Sequence, residues 1–155
     1  MKIVVCVKHV PDATADRTFT EDGTTDRASV DSLLSELDEY AVEQALRLAE
    51  SDADAEISYL TVGPDDARDA LRKALAMGGD AAIHVSDEDI EGSDAFGTSL
   101  VLAKAFLALG TTRLRTHVDV DTQAGLRHLE GTLRTRETLI PLRRAVPDDL
   151  TLFGP

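Results

Sequence analysis

The chain has one cysteine, Cys6, in 155 residues. That excludes an internal disulfide and suits a reducing cytoplasm. Long hydrophobic runs are missing. No apolar stretch approaches the roughly 20 residues of a membrane-spanning helix, and the N-terminus has the pattern of a strand rather than of a signal peptide. Basic residues are scarce, with 16 Lys and Arg against 29 Asp and Glu and a net charge of −13. Nucleic acid is therefore excluded as a partner, because phosphate binding needs clustered Lys and Arg. The imbalance is uneven: residues 1–110 hold 23 acids and 9 bases, whereas residues 111–155 hold six acids and seven arginines, with no lysine. An acidic, lysine-poor surface suits solubility at high salt and suits an ordinary acidic cytoplasmic protein equally well. Signature motifs are also lacking. There is no Walker lysine motif and no Gly-x-Gly-x-x-Gly. His9, His84, His117 and His128 show no metal-ligand spacing, and Asp87-Glu88-Asp89-Ile90-Glu91 lacks the alternating ligands and central glycine of a calcium loop. No catalytic residues stand out.

What is present is clearest from Thr61 to Val85. Residues 57–62 read as a buried strand. Gly63 is placed to cap a helix, and Pro64 suits its first turn, where a missing N–H is no loss. Asp65, Asp66 and Asp69 complement the positive end of the helix dipole. Ala67, Ala70, Leu71, Ala74 and Leu75 form one apolar stripe at helical spacing. Gly78-Gly79 ends the helix, and Ala81 to Val85 supplies the next strand. Strand, helix and strand at this spacing predict a right-handed crossover in a parallel sheet.

Upstream, Ile3, Val4, Val5, Cys6 and Val7 form a run without alternation, which predicts a central strand buried on both faces. Residues 10–31 are polar, and 17–24 read as a short hairpin arm. Ser35-Glu36-Leu37-Asp38 has the form of a capping box. Val42, Ala45, Leu46 and Ala49 then mark an amphipathic helix. Asp87 to Asp94 is an acidic loop, and Ser99 to Leu109 a third, largely apolar helix whose face, with Phe96 and Phe106, is expected to pack on the sheet. The order predicts an α/β fold with a doubly wound, mainly parallel sheet. A fourth strand should follow Gly110, and none is evident in 111–119, where two arginines and a histidine replace the expected valines.

Three segments carry a resemblance. MKIVVCVKHVPD, LDEYAVEQALRLAE and GPDDARDALRKALAMGGDAAIHV resemble, in order and spacing, the β-subunit of electron transfer flavoproteins. The resemblance covers residues 1–109. It implies a Rossmann-like domain of the adenine nucleotide α-hydrolase-like type, incomplete on its C-terminal side. It implies an electron carrier subunit without catalytic residues of its own. Such a subunit completes an αβ heterodimer that holds FAD, mostly in the α-subunit, and AMP. The heterodimer carries electrons from acyl-CoA or other dehydrogenases to an acceptor, without membrane insertion and in the cytoplasm.

Matched position by position, the nucleotide contacts of that family fall on Cys6, then Ser35, Glu36, Leu37 and Asp38, then Val62. The family often has Asn-Pro where this chain has Ser35-Glu36. Ligands of open α/β sheets sit beyond the carboxyl ends of the strands, where Cys6, Lys8 and Val62 are expected. On physics alone, Cys6 and Val62 read as core residues and Ser35 as a helix cap. The family's glycine-rich phosphate loop after the third helix is absent, so binding of FAD or AMP by this chain alone is doubtful.

The chain thus divides into residues 1–110, a nucleotide-binding-type α/β domain, and residues 111–155, a divergent tail. Leu126 to Thr138 faintly resembles a later family segment, and 113–116 can be encoded by bases that spell Gly-Tyr-Glu-Leu one position later. We read the tail as the misread end of a truncated β-subunit, against a natural short variant. Two further readings compete: a stand-alone adenine-nucleotide-binding module resembling universal stress proteins, which share this fold, and a non-functional fragment.

Overall fold

The computed structural model describes residues 1–111, Glu130 and Leu133. The expectations for the tail, including the missing fourth strand and the misread segment, lie outside the described residues. The chain divides into two units, Met1–Asp94 and Ala95–Pro155.

In the first unit, three parallel strands form one sheet in the order β1 (Lys2–Cys6), β4 (Glu56–Val62), β5 (Ala81–Val85). Ile3 stands opposite Ile57 and Tyr59 opposite Ala82. Helix α1 (Glu36–Ala49) joins β1 to β4, and α2 (Arg68–Met77) joins β4 to β5. Both crossovers step in the same direction, so right-handed connections put both helices on one face. They touch each other as well as the strands. The parallel α/β class read from the sequence is the class observed.

The core lies on that helix-covered face. Val5, Val7, Ile57 and Tyr59 from the strand side meet Val42 and Ala45 of α1 and Ala70, Leu71 and Ala74 of α2. Side chains alternate across a strand, so one face of β1 is buried while Val4 is half-buried and Cys6 exposed. Among the described residues β1 lies at an edge of the sheet and is buried on one face, where the sequence predicts a central strand buried on both. The central strand of the described sheet is β4, where Leu60 and Thr61 are buried in succession. Of the predicted α2 stripe, Ala67, Ala70, Leu71 and Ala74 are buried and Leu75 is exposed. The helix begins later than predicted. Pro64 has an extended backbone, Asp65–Ala67 forms one 3-10 turn, and the α-helix follows from Arg68.

A second sheet was not legible in the sequence. β2 (His9–Pro11) pairs antiparallel with β3 (Ser32–Leu34) and closes the base of the polar excursion between them. At its tip the predicted hairpin arm is present. Phe19 bridges Thr25, Thr20 N donates to Thr24 O at 2.9 Å, and Gly23 N donates to Thr20 O at 3.0 Å.

In the second unit, α3 (Ala95–Ala108) starts four residues earlier than predicted. None of its residues is fully buried, and Phe96 and Leu100 are exposed. Among the described residues no helix is long and apolar enough to cross a membrane.

Candidate functional site

Parallel strands bring all their carboxyl ends to one edge of the sheet, and Cys6, Val62 and Val85 close the three strands there. The chain leaving β1 is fastened to the start of α1. Val7 N donates to Leu60 O at 2.9 Å, continuing the ladder one residue past the strand. Ser35 N then donates to Lys8 O at 2.9 Å, and Lys8 N donates to Asp38 Oδ2 at 2.8 Å. Cys6, Ser35 and Asp38 are thereby gathered around the main chain of Lys8.

The capping box predicted at Ser35 to Asp38 does not form. Ser35 is the N-cap residue, but its side chain caps nothing, and only its carbonyl accepts, from Asp38 N at 2.9 Å. The Asp38 carboxylate is drawn across to Lys8 N instead of reaching back to Ser35. A long-range bond to the strand end replaces the local one that the motif allows.

Cys6 is exposed, which corrects its reading as a small buried hydrophobe. Atoms crowded around its sulfur, and secondarily the Asp38 carboxylate, push the thiol up from its ordinary 9.0. Both effects disfavour the thiolate. Glu36 and Leu37 are exposed in the first turn of α1, and Val62 is half-buried on the neighbouring strand, opposite Val85. The six positions therefore share one edge of the sheet. Hydrogen bonds to the Lys8 main chain tie together two of them, Ser35 and Asp38, and Cys6 lies two residues before Lys8.

A helix N-terminus beside a strand end is a usual seat for phosphate. Here the first turn carries Glu36, Asp38 and Glu39, which already neutralise the helix dipole and repel an anion. The exposed Lys8 forms no ion pair among the described residues. With main-chain groups at the ends of β1 and β4 and an acidic helix start, the edge suits a neutral polar group better than an anion. No group of three metal-ligating side chains occurs among the described residues.

Two features were missed in the sequence. His84, on β5, reaches over to the turn that leaves β4, with Nε2 at 2.9 Å from Gly63 O. The signal was available: a histidine one residue before the end of a strand, beside a Gly-Pro turn. The second is a groove of about 820 Å³ between β3, α1 and α2, lined by Leu33, Glu36, Tyr40, Asp69, Lys73 and Met77 among others. Of the six predicted positions only Glu36 lines it. Thr61 Oγ1 is buried without a partner among the described residues. Alternation puts it on the same side of β4 as Tyr59, facing the helix-covered core, one residue before the strand's carboxyl end.

A family model of the electron transfer flavoprotein domain matches residues 22–113. The electron transfer flavoprotein subunit beta of Mycobacterium tuberculosis (strain ATCC 25618 / H37Rv) is 42% identical over 117 residues, covering 72% of this chain and 44% of the relative. The subunit of the same name from Megasphaera elsdenii is 41% identical over 113 residues, covering 73% and 42%. The acryloyl-CoA reductase electron transfer subunit gamma of Anaerotignum propionicum is 39% identical over 110 residues, covering 71% and 41%. The chain spans less than half the length of these relatives.

Proposed function

The chain belongs to the electron transfer flavoprotein family, and from that premise we propose that it acts as a β-type subunit, completing a heterodimer with an α-subunit. The observation that carries this reading is the family match across α1, β4, α2 and β5. The three relatives named above all carry electron transfer in their names. In this role the chain is a carrier component in the cytoplasm, with residues 1–110 as its nucleotide-binding-type domain. Its donors are acyl-CoA or other dehydrogenases acting through the complex.

AMP fits the carboxyl edge in part. Cys6 and Val62 would contribute main-chain contacts to the base, and Ser35, Glu36, Leu37 and Asp38 would border it at the start of α1. Residues 36, 38 and 39 are acidic, so the phosphate is served poorly from this side. FAD would supply the electron-transfer chemistry when bound in the heterodimer. The part of this chain is to present a folded edge to the partner subunit.

Co-expression with an electron transfer flavoprotein α-subunit tests the reading. A co-purifying pair that shows flavin absorbance near 450 nm is expected. Two subunits that elute separately, with the flavin staying on the α-subunit, would sink it.

A further inference from the structure

Both ring nitrogens of His84 are engaged. Arg68 Nε–H donates to Nδ1 at 3.1 Å. On the other side, Nε2 lies 2.9 Å from Gly63 O and 3.1 Å from Pro64 O. Carbonyl oxygens only accept, and Nδ1 is already accepting from Arg68. The imidazole is therefore neutral with its hydrogen on Nε2. Arg68 is itself steadied by Asp65, Nη2 to Oδ1 at 2.9 Å.

These contacts clamp one short piece of main chain. Gly63 N donates to Val85 O at 3.0 Å, so the turn leaving β4 is held to β5 by its amide as well as by its carbonyl. Ala67 N donates to Pro64 O at 2.9 Å, which bends the chain into the 3-10 turn. Space at the turn is tight: a Cβ on Gly63 would lie 3.1 Å from Ala67 Cβ. The exit from Val62 is thereby given one path. A half-buried aliphatic residue at position 84 would fill the same space but leave the Gly63 and Pro64 carbonyls unheld.

We infer that His84 is a positioning residue for the open end of β4. In its Nε2–H form it orients the main chain at Val62 and Gly63 toward a bound adenine nucleotide. The role rests on the proposed nucleotide contact at Val62. Arg68 serves it by keeping the ring in the required tautomer and rotation.

The test uses the full chain labelled with nitrogen-15. In the wild type, ring nitrogen shifts should report the Nε2–H tautomer, and millimolar AMP should move the amides of Val62 and Gly63. In His84→Ala the Gly63 amide should exchange about tenfold faster, as expected for one lost hydrogen bond, and the AMP-induced shifts should need severalfold more nucleotide. His84→Gln, whose side-chain N–H can reach the same carbonyls, should recover both, whereas His84→Leu, which fills the space without a donor, should recover neither; recovery by Leu would overturn the clamp. Arg68→Gln changes an exposed residue. It should accelerate Gly63 exchange to an intermediate degree, so the clamp is readable even where His84→Ala folds poorly. AMP moving Val62 equally in wild type and His84→Ala would overturn the positioning role. AMP moving no amide near Val62 in the wild type would overturn the nucleotide reading instead.

Discussion

The ring of Tyr59 occupies the space that a side chain on Gly79 would need. A Cβ built on Gly79 would lie 2.7 Å from Tyr59 Cε2 and 3.0 Å from its hydroxyl oxygen. The hydroxyl donates to Gly78 O at 2.6 Å, just where α2 ends. Gly78 and Gly79 have φ of 139° and 108°, a region that L side chains rarely adopt. A fully buried tyrosine of the central strand thus seals the helix terminus, and burial followed by the charge of Asp80 pushes its phenol up from 10.0. Gly79→Ala should destabilise the domain by about 2–4 kcal/mol through strain and overpacking. Tyr59→Phe, which loses only the hydroxyl, should cost about 1 kcal/mol. Urea denaturation of the two variants checks the order, and equal midpoints would show that the clash relaxes.

Leu71→Asp should abolish the cooperative melt. Leu71 is 5% exposed and packs within the cluster that joins α2 to β4. Burying an unpaired carboxylate there costs several kcal/mol, comparable to the stability of a whole domain. A thermal scan by circular dichroism that retains a sharp transition near the wild-type midpoint would contradict this packing.

The arm around Asp22 should loosen only in strong acid. Asp22 Oδ1 accepts from the hydroxyl of Thr20, and from Thr24 N at 3.1 Å and Thr24 Oγ1 at 2.8 Å. These bonds hold its carboxyl down to about 2, against an ordinary 3.8. A folded value below the unfolded one means that the contribution is complete above about pH 4 and fades as pH falls through about 2. The Thr24 amide signal, followed by NMR from pH 5 to pH 1.5, should titrate near 2. A midpoint near 3.8 would mean that the carboxylate is not holding the turn.

Cys6 should be reachable but slow. It is exposed, yet local crowding and Asp38 both raise its thiol, and the thiolate is the reacting form. At pH 8 a chromogenic disulfide reagent should modify it more slowly than a free thiol. Asp38→Asn, which removes the charge and keeps an oxygen to accept from Lys8 N, should accelerate the reaction. An unchanged rate in that variant would leave crowding as the whole cause.

AMP should bind the full chain more weakly than micromolar. The start of α1 presents Glu36, Asp38 and Glu39 where a phosphate would need donors. Each missing charge-assisted hydrogen bond forfeits about 1.5–3 kcal/mol. Titration calorimetry with a micromolar dissociation constant would contradict this.

The order β1, α1, β4, α2, β5 was determined by the sequence, because it rests on local physics. Unbroken β-branched runs, a 3.6-residue stripe in α2 and a Gly-Gly stop each act within a few residues of chain. The family resemblance was legible for the same reason: it lies in short motifs such as MKIVVCVKHVPD and ALAMGGD. What needed the tertiary structure depends on residues far apart in the chain. The pairing of His9–Pro11 with Ser32–Leu34 spans a polar excursion without periodicity. Asp38 chose Lys8 N, 30 residues away, over the local cap that its spacing permitted. His84 found Gly63 across 21 residues, and its role exists only because β4 and β5 are neighbours. The exposure of Cys6 was decided in the same way. Its valine-rich surroundings predict burial, but α1 packs on the other face of β1, and which face is covered is a property of winding rather than of composition.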